Sequence, residues 1–185
     1  ADWDKVIKVA TTALKARTKD LQIGVWLTEA LVKKHGFAGL ASGLAVMAAF
    51  IGDFWDTLYP LPDEGDLEYR IGPLEFLNAK LSAVVRNVPI TDPKVSNGGF
   101  SWYQWRESRQ GAGEGKLTAG EFDAAAAKSS KEFYAKRSAD LADSMRIFRK
   151  LDAVIDEKFG GEGPGLTEMN KAIEECRDVV DGILT

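Results

Sequence analysis

The hydrophobic positions recur at steps of three and four along almost the whole chain, which is the signature of amphipathic helices. Over residues 2–16, Trp3, Val6, Ile7, Ala10, Ala13 and Leu14 form one stripe, with Asp4, Lys5, Lys8 and Lys15 outside it. A second helix is predicted over 20–34, with Asp20 as N-cap and Leu21, Val25, Trp26, Leu27 and Leu31 facing inward. Lys33, Lys34 and His35 suit the negative end of its dipole, and Gly36 suits a left-handed stop. A third helix is predicted from Phe37 to Tyr59, ended by Pro60 and Pro62. Gly39, Gly43 and Gly52 each cost about 1 kcal/mol of helix propensity there, and small residues allow a neighbouring helix to approach closely. A fourth pattern spans 66–85, and Pro73 predicts a kink or a fresh start inside it.

The second half begins with a turn-rich stretch, NVPITDPKVSNGGF at 87–100, and Ser101 then caps a short helix, WYQWRESR. QGAGEGKL at 110–117 reads as a loop, so 87–118 is expected to be an irregular connecting segment. Thr118 with Glu121 and Ser129 with Glu132 have capping-box spacing, predicting a short helix and then a long one over 130–159. Gly160 and Gly161 end the long helix, and a last helix follows Pro164. No stretch alternates with period two for long. The expected fold is all-α, an orthogonal or antiparallel multi-helix bundle of helical hairpins with one long helix near the C-terminus, forming a single domain over 1–185.

Composition narrows the function classes. The 185 residues are 45% hydrophobic and 28% charged, ordinary for a globular chain, with net charge −4. No half is strongly basic, which argues against a nucleic-acid surface. Cys176 and His35 are the single cysteine and histidine, so an intrachain disulfide and a histidine-rich zinc site are both excluded. The N-terminus lacks the pattern of a signal peptide, and the apolar run 37–59 is interrupted by Asp53, Asp56 and glycines, so no membrane insertion and a cytoplasmic location are expected.

Candidate chemistry centres on FWDTLYPLPDEGDLEYR at 54–70. Asp63, Glu64, Asp66 and Glu68 invite a metal cage or an acid/base pair, but the spacing is not that of a calcium loop. Acidic residues at a helix start explain the same pattern, with Asp66 and Arg70 placed four apart for a pair worth about 0.3–0.5 kcal/mol. QGAGEGKLT departs from the phosphate-loop template at its first glycine and at its hydroxyl, and no strand precedes it. No cofactor is expected. Trp3, Trp26 and Trp55 fall on apolar stripes and are expected in the core; Trp102 and Trp105 are expected to be core ahead of contact surface.

An ordered series of residues resembles a known family. It comprises Trp26-Leu-Thr-Glu-Ala-Leu31, Gly36-Phe-Ala-Gly-Leu40, Gly43-Leu44, Phe54-Trp-Asp-Thr-Leu-Tyr-Pro60, Asp63-Glu64 and Arg70. Later pieces are Leu74-Glu-Phe-Leu77, Val88-Pro-Ile-Thr91, Phe100-Ser-Trp102, and Phe159 followed by Gly-Pro-Gly-Leu at 163–166. Together they resemble the N-terminal domain of the ImpA/TssA family of type VI secretion proteins. The resemblance implies a non-enzymatic assembly module that engages baseplate, tail tube, sheath or membrane-complex components. It also implies a longer parent protein whose ring-forming C-terminal region is absent here. Trp26, Glu29, Trp55, Tyr59, Pro60, Asp63, Glu64, Asp66, Arg70, Trp102 and Trp105 are the candidate structural or interaction residues. Two other readings stand beside this one: a small helical enzyme using Asp63, Glu64 or Asp66, and a regulatory ligand-binding domain.

Overall fold

The computed structural model describes residues 1–111 and 113–185; Ala112, within the QGAGEGKL loop, lies outside the described residues. The helices are α1 (Trp3–Ala16), α2 (Leu21–Asp53), α3 (Glu68–Phe76), α4 (Ser82–Arg86), α5 (Trp102–Arg109), α6 (Ala119–Lys128), α7 (Lys131–Lys158) and α8 (Thr167–Leu184). A π-helical turn, Leu77–Leu81, joins α3 to α4. Among the described residues there is no β-strand, only isolated bridges. The all-α expectation holds, with the long helix α7 where the sequence places it.

Most helix starts are made by local hydrogen bonds. Asp20 accepts from the Ile23 N–H at 3.1 Å, and Ser101 and Thr118 form reciprocal boxes with Gln104 and Glu121. The box expected at Ser129 does not form, and a simple cap stands one residue further on. Ser130 caps α7 by accepting from the Phe133 N–H, while Ser129 closes α6 and its hydroxyl accepts from the Asp92 N–H. A tertiary donor has taken the side chain that spacing alone assigns to the cap. Pro73 neither breaks nor restarts its helix. It lies inside α3, and the backbone ladder re-registers in the π turn that follows.

α2 is hydrogen-bonded as one run but reverses at Gly36, whose φ of 62° and ψ of −136° belong to glycine. Residues 21–35 and 37–53 are therefore two antiparallel arms. A Cβ built on Gly24 would meet Met47, one on Gly43 would meet Thr28, and one on Gly39 would overlap the backbone carbonyl of Leu31. Each matched pair sums to 70 or 71, close to the 72 of a helical hairpin centred on residue 36. The small residues seen in the sequence thus bring together the two halves of one helical hairpin. α2 has the length and hydropathy of a membrane span. Its reversal leaves each arm shorter than the roughly 20 residues that a span needs.

α2 packs chiefly on α7, with α1 beside α2 and α8 beside α7; α4 bridges α2 and α8. Leu21, Leu40, Leu44, Met47, Ile51, Leu74, Leu81, Leu141, Leu151, Ile173 and Val180 meet in one core. Cys176 is buried there, and burial pushes its thiol up to about 12. At pH 8 it is almost wholly protonated, so the native protein is expected to resist thiol-specific alkylation. A denatured sample should react fully, and rapid native labelling would place Cys176 at the surface.

Candidate protein-docking site

The stretch between α2 and α3 forms a corner. The sequence extends the helix to Tyr59, but it stops at Asp53 with Phe54 as its C-cap. Turns over 54–58 meet the same apolar spacing differently: Leu58 is buried, Trp55 half-buried and Phe54 exposed. The chain then runs beside the α1–α2 loop. The Leu21 N–H donates to the Tyr59 carbonyl at 2.9 Å, and the Tyr59 N–H donates to the Lys19 carbonyl at 2.8 Å. The Tyr59–Pro60 peptide is cis.

Asp63 and Asp66 close a tight turn by exchanging backbone hydrogen bonds of 3.2 and 2.8 Å. Glu64 and Gly65 between them take φ of 49° and 87°, the mirror-image turn that favours glycine at its second central position. Asp66 Oδ1 accepts from the Glu68 N–H at 2.9 Å, satisfying one free donor at the start of α3. The N-cap position itself is Leu67, which supplies no side-chain bond. The capping expectation is met by Asp66; among the described hydrogen bonds and ion pairs the Asp63 and Glu64 side chains have no protein partner.

The expected Asp66–Arg70 pair does not form. Arg70 is 1% exposed and points inward. Its Nε donates to the Pro60 carbonyl at 2.9 Å and its Nη2 to the Leu58 carbonyl at 2.6 Å. Its guanidinium lies 4.3 Å from the centre of the Trp55 ring, and Phe159 meets Trp55 edge-on with ring centres 5.0 Å apart. Nη1 is buried with no partner. Burial pulls the guanidinium below the usual arginine range, with the Asp56 charge opposing the shift. A rigid fork can satisfy two carbonyls and stack on an aromatic face together, and a solvent-exposed pair with Asp66 offers far less.

Around this fixed base, Phe54, Tyr59, Leu61 and Tyr69 are exposed large hydrophobics, Tyr69 at 62%. Asp53, Asp56, Asp63, Glu64, Asp66 and Glu68 stand exposed among them, with no cation partner among the described salt bridges. Among the described residues no group of acidic, histidine or cysteine side chains has a metal-binding arrangement. The carboxylates are exposed and lie outside the residues lining the described cavities.

The remaining candidates are dispersed. Trp26 is 51% exposed, which corrects its expected core position; Glu29 is half-buried one turn further on. Periodicity had placed Trp26 on an inward face, but the neighbouring α1 covers only part of that face. Trp102 is buried between the guanidinium groups of Arg86 and Arg106, at 5.5 and 5.6 Å, and Trp105 is half-buried beside it. Arg86 is itself held by Glu175 at 2.7 Å and Glu168 at 3.5 Å. Trp102 therefore belongs to a partly exposed charged network joining α4, α5 and α8, and not to the corner. Sequence reasoning missed Arg86 because its partners lie on a distant helix.

The fold is an all-helical domain similar to one found in a type VI secretion protein. Along its whole length the chain superposes on the N-terminal domain, including the conserved ImpA_N region, of the TssA component of the type VI secretion system from Burkholderia cenocepacia. The TM-score is 0.93 with 29% identity, covering 100% of this chain and 78% of that one. Residues 1–79 match the family model described as ImpA, N-terminal, type VI secretion system. The chain is also 34% identical over 93 residues to the type VI secretion system component TssA1 of Pseudomonas aeruginosa, covering 48% of this chain and 27% of that protein. The match thus spans about a quarter of that relative's length. The segment of densest motif resemblance, Trp26 to Arg70, lies within the family match.

Proposed function

We propose that this domain is a non-catalytic docking module of a bacterial type VI secretion apparatus, and that the acidic corner at 53–69 is a surface it offers to another component. The observation that carries the proposal is the exposed corner itself, whose six carboxylates outnumber the cations near it, Arg70 beneath and Lys19 at 5.2 Å over the Phe54 ring. Exposed aromatic and aliphatic side chains stand among carboxylates without cation partners, on a turn fixed from beneath by Arg70. A pre-ordered surface loses little conformational entropy when it binds, and its charge selects a partner presenting lysine or arginine around an apolar centre. Baseplate, tail-tube, sheath and membrane-complex proteins are the candidate partners, met in the cytoplasm. The enzyme reading loses support because Asp63, Glu64 and Asp66 are exposed and line none of the described cavities.

The test is pull-down of purified baseplate, tail and membrane-complex components by the domain. Asp63→Lys with Glu64→Lys is expected to weaken capture at least tenfold while the thermal melt shifts by no more than a degree or two, since exposed charges contribute within about ±0.5 kcal/mol. Tyr59→Ala should act in the same direction. Capture unchanged by all three substitutions removes the corner from the interface.

A further inference from the structure

A second surface, between α1 and the first arm of α2, has a different chemistry. α1 and the first arm of α2 run antiparallel, joined at one end by Lys34 and Asp4 at 2.8 Å. Between them lies a trough of about 470 Å³ whose walls are Val6, Val9, Ala10 and Ala13 on α1 and Ile23 and Trp26 on α2. Only Ala10 and Leu14 of α1 are buried, while Val9 is 59% and Trp26 51% exposed. The hairpin leaves uncovered the side that a third helix covers in a three-helix packing.

The edge of the trough carries a sign. Lys5 lines it, and Lys8 and Lys15 are exposed on the same helix; none of the three has a carboxylate partner among the described salt bridges. Of the α1 acids, Asp4 holds Lys34, while Asp2 caps the Lys5 N–H, lines the trough beside Lys5 and keeps its negative charge, so the excess along α1 comes from Lys5, Lys8 and Lys15 together. On α2 the Trp26 stripe continues through Glu29 and Lys33, of opposite signs. A domain of net charge −4 therefore presents a basic edge along α1.

We propose that this trough binds an amphipathic helix of a partner protein, with apolar residues at i, i+3 or i+4, and i+7 seated on Val9 and Trp26 and a row of Asp or Glu facing Lys5 and Lys8. α1 has 14 residues, about 21 Å at 1.5 Å per residue, which matches a docked helix of about four turns. Helix-in-groove recognition reads such anchors in this way. A basic amphipathic helix can also lie on a membrane, but that mode needs a convex apolar face. Here the apolar residues line a concavity shared by two helices.

The probe is a phage-displayed library of 20-residue peptides patterned as amphipathic helices, with flanking positions randomised among Asp, Glu, Lys, Arg and Ser. Selection against the wild-type domain is expected to enrich one acidic flank. Selected peptides should bind at least tenfold more weakly to Val9→Glu and to the Lys5→Glu, Lys8→Glu double variant. Both variants alter exposed positions, and their thermal melts should match wild type. Basic-flanked or unpatterned winners, or enrichment that survives Val9→Glu, would overturn the proposal. So would wild-type self-association in sedimentation that Val9→Glu abolishes, because a second copy would then fill the trough. Flotation with anionic phosphatidylserine vesicles, lost in Val9→Glu, would assign the surface to a membrane and equally overturn it. The corner is tested by different residues and different components, so either surface can fail alone.

Discussion

Arg70→Ala is expected to lower the unfolding free energy by about 3–5 kcal/mol, read as a shift in the urea midpoint. The loss has three sources. The carbonyls of Leu58 and Pro60 lose charge-assisted donors of 2.6 and 2.9 Å. The face of Trp55 loses the guanidinium that covers it at 4.3 Å. The largest fully buried side chain in the domain is replaced by a methyl group, leaving a cavity. Arg70→Lys separates these contributions: an ammonium on a flexible stem can reach one carbonyl but cannot fork to two and stack, so about 2 kcal/mol of loss should remain. Arg70→Met keeps the stem packing and removes every donor, and should fall near the alanine variant. If Arg70→Ala melts like wild type, the corner is held by something else. Because the corner's exposed residues hang from these bonds, Arg70→Lys should also weaken component capture more than its stability loss alone explains.

What could be read from the sequence follows the range of the interactions. Asp20, Ser101 and Thr118 act on amides three residues away, so their helix starts were legible, whereas the cap of α7 fell on Ser130 and not on Ser129. Gly36 was legible as a stop, since its backbone conformation excludes other residues. Arg70 was misassigned for the complementary reason. The neighbour visible in sequence is Asp66, four residues off, whereas its partners are carbonyls ten and twelve residues away, brought near by the prolines and turns between. The end of α2 was overrun because Leu58 kept the apolar period while the backbone had already left the helix. Trp26 shows a further limit. Periodicity identifies the face that is apolar, but whether another helix covers it depends on how α1 lies across α2, and that is a tertiary property. The acidic corner was visible as a motif, yet its character as an exposed surface required knowing that Arg70 turns away from the acids and leaves them unpaired.

Gly39→Ala is expected to cost about 3 kcal/mol or more, although alanine in an unconstrained helix gains about 1 kcal/mol over glycine. The added methyl would overlap the carbonyl oxygen and carbon of Leu31, which belong to backbone and cannot rotate away. The arms of α2 would have to separate, and Gly36 sets their reversal tightly enough that separation near residue 39 disturbs the next contacts. Those are Thr28 against Gly43 and Met47 against Gly24. Gly52 lies on the same helix and supplies the control. A Cβ there would meet Val154 at 3.4 Å, ordinary contact, so Gly52→Ala should leave stability unchanged or raise it by up to about 1 kcal/mol. The opposite signs separate close approach from helix propensity within one element. Equal urea midpoints for the two variants would mean that the arms do not touch at Leu31. Because Thr28 and Leu31 stand on the same arm as Trp26, the Gly39→Ala variant should also displace that ring, and a shift of its fluorescence below the unfolding transition would report the arms parting before the domain melts.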